Sequence, residues 1–476
     1  MKHRSLLWTA LMAMLVVMVL GHAASPENDQ EVWSDDCNIS QRSGRTAVVL
    51  PDDPWLLWTA DIGPAQTTPV AAAIPPVVAV DGTVYVSSLV ALHVLDVEGT
   101  ETWRSQGATG GYASPVLNVD RAIAVLDTYP TRGEEGEVLT YMASDGSVKW
   151  EMPIFGSRGF GNRTPAVDDA GTVYVTSMSG ILHAVDTTGS VVWRYQVDQN
   201  VRFGAPQFHP NRMLILPVFT GSIGERSKCE LHAVDTTGEL AWTVTLPEAC
   251  ETGWEGIVFW PPSISENGQI SVVSRSGKVY AVGPTGNLLW TANVGGESQG
   301  RAAVDWNGTT YIGTTNGSLK AISSSGALLW SLELDVTPLS PPLVDGAGVV
   351  YVGSRSGQLF AVDPLGPDIK WTLHVDGSIT SAPAPSYDGR IYVATDEGTL
   401  VAIGRNEPVT ANLEVGQSIQ AAIDSLPSGS TLRLASKYFQ ENILIQKSIT
   451  LEGGILSQQD ASLPAVSYTH LRAHET

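Results

Sequence analysis

The chain is poor in cysteine, in positive charge and in charge of any kind. Its 476 residues include three cysteines, 27 lysines and arginines against 49 aspartates and glutamates, and a charged fraction of 16%. Three cysteines leave room for one disulfide at most, which excludes a small disulfide-stapled scaffold. The net charge of −22 argues against a nucleic-acid partner, because phosphate binding needs stripes of lysine and arginine. It equally disfavours an anionic membrane surface. Long apolar runs are also scarce. The clearest, within Leu6–Leu20, follows Lys2, His3 and Arg4 and precedes Gly21-His22-Ala23, small residues at the positions a signal peptidase reads. This run is short for a spanning helix. Residues 1–23 are therefore expected to be a removed secretory signal, and residues 24–52 an acidic leader. No transmembrane span should remain, and the expected location is periplasmic, cell-surface or extracellular. No cysteine follows the run to carry a lipid anchor.

What the chain does have is glycine, 47 residues, and tryptophan, 14 residues. Eight tryptophans recur at Trp58, Trp103, Trp150, Trp193, Trp242, Trp290, Trp330 and Trp371, at intervals of 45, 47, 43, 49, 48, 40 and 41 residues. Spacing of that size suits one four-stranded propeller blade per repeat. The unit is plainest from Gly171, GTVYVTSMSGILHAVDTTGSVVW, and returns from Gly268, Gly308 and Gly348. Each copy reads as strand, turn, strand, turn, strand. Gly180, Gly277, Gly317 and Gly357 mark the first turn; Gly189, Gly286, Gly326 and Gly366 mark the second. The strands lack clean polar alternation, as expected of sheets buried on both faces.

The array opens with a lone outer strand, WLLWTADIG from Trp55, and closes with inner strands lacking a tryptophan, GRIYVATDEGTLVAIG from Gly389. Joining the two fragments predicts eight blades over residues 53–406, closed by the N-terminal strand with no free sheet edge between the ends. The fold class is all-β, a propeller of four-stranded antiparallel blades. The tryptophans are expected on outer strands, packing between blades.

The repeat G-x-V-Y-V-x-S-x-x-G-x-L-x-A-V-D-x-x-G-x-x-x-W resembles that of the pyrroloquinoline-quinone (PQQ-like) propeller family. It is closest to the non-catalytic branch that includes the outer-membrane-barrel assembly lipoprotein. No Trp-Asp dipeptide occurs, which separates it from the WD40 class. The enzymes of that family hold a metal-bound quinone at the axis, with an Asp base and a disulfide between adjacent cysteines. No such cysteines exist here, so no catalytic residue, metal ligand or cofactor is assigned. After residue 406 the period stops. VGQSIQAAIDSLPSGSTLRLASKYFQENILIQKSITLEGG resembles the entry of a right-handed, pectin-lyase-like β-helix, with Ile419, Ala422, Ile423 and Leu426 on one face of a capping helix. Residues 407–465 are read as its first coils. Residues 466–476, VSYTHLRAHET, match the translation of a transposase sequencing adapter and are set aside.

Other candidates have local readings. His93, His183 and His232 share one repeat position, so they should be spread around the ring and unable to meet at one metal ion. Asp96, Asp186, Asp235 and Asp363 start the second turn and are expected to bond backbone amides there. Cys229 and Cys250 should sit at one end of one blade and form the disulfide; Cys37 is read as free or intermolecular. Asn307-Gly308-Thr309 and Asn316-Gly317-Ser318 are read as Asn-Gly turns before sequons, and Asn38 and Asn162 begin two more sequons. The connections after each tryptophan strand should gather near the axis. They carry the candidate partner-binding residues Tyr112, Arg158, Arg202, Trp254 and Arg301, with Arg163, Phe203 and Trp260 beside them. The function expected is a non-enzymatic scaffold presenting this face to a protein or polysaccharide. Alternatives are the targeting module of a carbohydrate-active β-helix enzyme, an envelope assembly factor, or a PQQ-dependent dehydrogenase.

Overall fold

The structure is a computed structural model. It describes residues 44–63, 75–88, 91–105, 113–118, 120–127, 137–154, 164–177, 179–197, 201–220, 226–251, 260–298, 300–334, 336, 339–405, 410–413, 430–434, 438–439, 449–452 and 455–456. The signal, Cys37, Asn38, Asn162, the capping helix and the terminal adapter-like residues lie outside this set.

The described residues form eight antiparallel blades and no helix. The third blade shows the plan: Ala166–Val167 innermost, then Val173–Thr176, Ile181–Val185 and Val191–Gln196 outermost. Its second strand is buried throughout because blades cover both faces. The eighth blade combines Ala384–Pro385, Ile391–Ala394 and Thr399–Arg405 with the N-terminal Pro54–Asp61. The innermost strands of the first and eighth blades lie side by side, so the ring is closed as expected. The fourth blade departs from the plan. Val201–Phe203 and Gln207–His209 both pair with Met213–Thr220, and Arg226–Asp235 and Leu240–Glu251 extend its outer half.

Each tryptophan is placed by two local features. Opposite it across the strand pair stands a small residue in six blades: Ala184, Ala233, Ala281, Ala321, Ala361 and Ala402. In all eight outer strands the register slips just before the tryptophan, as between Val191 and Trp193. Such a bulge re-aims the side chain out of the pleat. The indole then reaches the next blade and donates to a turn carbonyl. The pairs are Trp58 to Val97 at 2.9 Å, Trp103 to Ser144 at 3.0 Å, Trp150 to Thr187 at 3.0 Å and Trp193 to Thr236 at 2.9 Å. Trp242 to Pro284 at 3.1 Å, Trp290 to Ser324 at 2.8 Å and Trp330 to Pro364 at 2.9 Å continue the series. The eighth, Trp371 to Pro51 at 3.0 Å, crosses the closure.

The receiving turns are shaped for this contact. Gly286 has φ of 85°, and a Cβ there would lie 2.7 Å from the Trp242 ring; Gly189 and Trp150 repeat the arrangement at 2.9 Å. Gly366 differs. One extra residue separates Asp363 from Trp371, and Gly366 has neither a positive φ nor a contact with an indole. Apolar clusters fill every blade-to-blade seam, for example Tyr174, Leu182, Leu214 and Val234 between the third and fourth.

Residues 44–52, inside the span assigned to the leader, belong to the ring's fastening. Arg45 bridges Val344 in parallel, and Gly346 N donates to Val48 O at 2.9 Å. Leu50 N reaches Asp345 Oδ2 at 3.0 Å, and Lys370 pairs with Asp52 at 2.7 Å. This strap runs from the inner strands to the rim and delivers Pro51 to Trp371.

After the ring, Thr410–Leu413, Ser430–Leu434 and Ile449–Glu452 pair in parallel, as do Tyr438–Phe439 and Ile455–Leu456.

Gly286→Ala is expected to lower stability by about 1–3 kcal/mol through backbone strain and overpacking, whereas Gly366→Ala is expected to be near neutral. Denaturant midpoints of the two variants check this; equal losses would remove the glycine–indole contact as the cause.

Candidate interaction face

The strand order gives the ring two unlike faces. On one lie the turns joining innermost to second and third to outermost strands, together with the strap; this is the turn face. On the other lie the turns joining second to third strands and the blade-to-blade connections; this is the loop face. The two loop elements are latched together. Val294 N donates to Gly277 O at 2.8 Å, Leu334 N to Gly317 O at 3.0 Å and Val375 N to Gly357 O at 2.8 Å. Loop positions in the fifth to seventh blades are thus set by backbone bonds together with the packing of Val294, Leu334 and Val375 into the seams.

Arg202 and Arg301 are described, and both fall on the loop face. Arg202 is half-buried on the extra strand of the fourth blade, opposite Phe219. Arg301 precedes the innermost strand of the sixth blade and is only 5% exposed. Its side chain is committed to the interior and does not reach outward as an interface anchor would. Tyr112, Arg158, Arg163 and Trp254 lie outside the described residues. Phe203 is buried, and Trp260 donates to Ser298 O at 3.0 Å, holding a connection in place. The sequence shows insertions in the repeats ending at Trp150 and Trp242, but not that the second of these lengthens the outer strands of the fourth blade.

The histidines are spent locally, in three different blades. His93 lies 3.0 Å from Ser88 Oγ and 2.7 Å from Glu101 Oε1. His232 lies 2.8 Å from the Tyr195 hydroxyl of the preceding blade and 3.2 Å from Glu230. His183 accepts from Arg194 Nε at 3.3 Å. Burial, and then the Arg194 charge, lowers the His183 pKa to about 4. Among the described residues, no group of three or more His, Cys, Asp or Glu side chains could hold a metal ion.

The turn aspartates bond backbone amides, as expected. Asp186 Oδ1 accepts from Thr188 N at 2.9 Å and Ser190 N at 3.0 Å, and Asp96 and Asp235 repeat the pattern. The Thr188 hydroxyl, then the Ser190 amide, hold the Asp186 carboxyl below the usual range. A second set of aspartates braces buried tyrosines: Asp168, Asp305 and Asp345 accept from the hydroxyls of Tyr174, Tyr311 and Tyr351 at 2.8, 3.0 and 3.0 Å. Burial first, then the adjacent carboxylate, raises all three phenols. These acids are structural.

Cys229 is disulfide-bonded. Cys250 stands on the neighbouring strand, its backbone opposite Ser227; its side chain lies outside those described.

Six of the eight innermost strands open with an apolar residue packed into a blade-to-blade seam: Val77, Val116, Ala166, Ala303, Leu343 and Ala384. Among the described residues no helix is long and apolar enough to cross a membrane.

The family described as outer membrane protein assembly factor BamB matches residues 134–252 and 275–407, more than half of the chain. No curated protein sequence matches. Among solved structures, BamB from Moraxella catarrhalis is similar at 16% identity and a TM-score of 0.54, over 74% of this chain and 100% of that one. A europium-containing methanol dehydrogenase is similar at 13% identity and 0.62, over 80% and 99%. A quinohemoprotein alcohol dehydrogenase from Comamonas testosteroni is similar at 15% and 0.59, over 83% and 84%.

Two outcomes are expected. A folded pKa below the unfolded one means that unfolding takes up a proton. His183 therefore contributes stability that is present above the unfolded value and lost as pH falls from 6.5 toward about 4. His183→Leu should flatten the melting temperature over that window; an unchanged slope would rule this contribution out. Non-reducing peptide mapping should recover Cys229 joined to Cys250, and Cys250→Ser should cost about 3 kcal/mol.

Proposed function

Since this chain belongs to the PQQ-like propeller-repeat family of the outer membrane protein assembly factor BamB, we propose that it is an exported, non-enzymatic scaffold whose loop face binds another protein. The observation that carries this is the backbone latching of the loop face. Val294, Leu334 and Val375 are tied to the turns of the fifth, sixth and seventh blades, so a partner meets preset geometry there and loses little on binding. The described strap, by contrast, fastens to the turn face beside Asp345 and Gly346.

Envelope assembly is the reading closest to the family's own description. Scaffolds of that kind act by holding a partner, which asks of the ring a rigid, accessible face and no reaction centre. The parallel pairing of Thr410–Leu413, Ser430–Leu434 and Ile449–Glu452 favours a coil-stacked β-helix entry, which would display the ring on a second module. A polysaccharide partner draws on no observation in the ring. The dehydrogenase neighbours raise the question of a quinone and its metal. The residues do not fit them: the chain has no adjacent cysteines, and among the described residues no group of three or more His, Cys, Asp or Glu side chains could hold the metal.

The test uses the purified full chain as bait in a detergent extract of the source envelope, with Arg202→Glu on the loop face and Arg121→Glu on the turn face. Arg202→Glu is expected to reduce recovery of the bound protein at least severalfold, and Arg121→Glu to leave it unchanged. Equal recovery by all three would sink the loop-face proposal.

A further inference from the structure

Three Asn-Gly pairs close turns in this chain, at Asn267, Asn307 and Asn316. Their backbones are alike. Gly268, Gly308 and Gly317 have φ of 82°, 80° and 86°, and each glycine amide donates three residues back, at 3.0, 3.1 and 3.2 Å. All three asparagines are exposed. Their side chains are not alike. The Asn267 carboxamide oxygen accepts from Ser265 Oγ at 2.6 Å and from Gln269 N at 3.1 Å. That of Asn316 accepts from Thr314 Oγ1 at 2.5 Å and Ser318 Oγ at 3.2 Å. The sixth blade offers Asn307 no equivalent, because Asp305 takes the place of Ser265 and Thr314. Asp305 is an acceptor at that turn: it takes the Asn307 and Thr309 amides at 2.9 and 2.8 Å and the Tyr311 hydroxyl. No hydrogen bond holds the Asn307 carboxamide among the described residues.

We propose that Asn307 is a site of spontaneous covalent modification, deamidating through a cyclic imide formed with Gly308. The Gly308 amide nitrogen attacks the Asn307 side-chain carbon, forming a new C–N bond. The bond to Nδ2 breaks, and that nitrogen takes the amide proton and leaves as ammonia. Water then opens the imide at either carbonyl, giving aspartate or isoaspartate. The only co-reactant is water. Gly308 has no side chain to hinder the approach, and the unpinned carboxamide rotates freely to bring its carbon to the amide. At Asn267 and Asn316 the same rotation must first break two hydrogen bonds.

The position matters to the ring. Trp306, the preceding residue, carries the Arg45 guanidinium of the strap 4.2 Å from its ring centroid. Isoaspartate adds a methylene to the backbone of this turn and places a new carboxylate beside that contact, so modification should loosen the strap at its inner end.

The full chain is incubated at mildly alkaline pH and followed by peptide mapping. Replacement of the amide by hydroxyl is expected at Asn307 severalfold faster than at Asn267 or Asn316. Equal rates at the three, or a faster rate at either of the others, would overturn the proposal. The double variant Thr314→Ala/Ser318→Ala removes both hydroxyls that hold the Asn316 carboxamide and keeps the Gly317 turn bond to Thr314 O. It should bring Asn316 to the Asn307 rate, and an unchanged rate would show that side-chain pinning is not what protects it.

Discussion

The indole that leaves one blade and donates to a turn carbonyl of the next is the contact on which the ring depends. It recurs eight times at 2.8–3.1 Å. Each copy fixes a rotation between neighbouring sheets, and eight such rotations must sum to a closed circle. A hydrogen bond of this kind adds only about 1 kcal/mol net. Its importance is directional: the apolar seams supply most of the cohesion but are non-directional, and the donor selects the one docking in which the receiving carbonyl is met. The bulge precedes all eight tryptophans. The alanine opposite six of them and the glycine beneath most of them ease the reach without being required, since Trp330 makes its bond with no glycine against its ring.

Closure is the weak link of any circular array, because its last seam must join residues far apart in sequence. Here Trp371 finds Pro51 in place of the third-to-outer turn that the other blades provide. The strap brings Pro51 there by pairing with Val344, Gly346 and Asp345 on the way. The closing seam therefore uses the same donor and the same carbonyl geometry as the other seven, with the acceptor supplied by the chain's other end.

The titratable groups tell the same story. Histidines at one repeat position and aspartates at two invite a reading of metal or acid–base chemistry from the sequence. In the ring they are divided among blades and consumed by neighbours: His232 by Tyr195, Asp345 by Tyr351 and Leu50, Asp186 by its own turn. Duplication produces many copies of a residue without bringing any two together.

Blade number, four-stranded plan, tryptophan positions and closure by the N-terminal strand were all legible in the sequence. Each follows from local periodicity: glycine where a turn needs a positive φ, tryptophan at a fixed distance beyond it, a missing outer strand at one end matched by a spare at the other. The turn role of Asp96, Asp186 and Asp235 was legible for the same reason. Only the tertiary structure decided that Arg301 is buried while Arg202 is half-exposed, that residues 44–52 fasten the ring, and that the fourth blade grows an extension. These depend on contacts between residues hundreds of positions apart or on insertions without a repeat, and no local pattern encodes them.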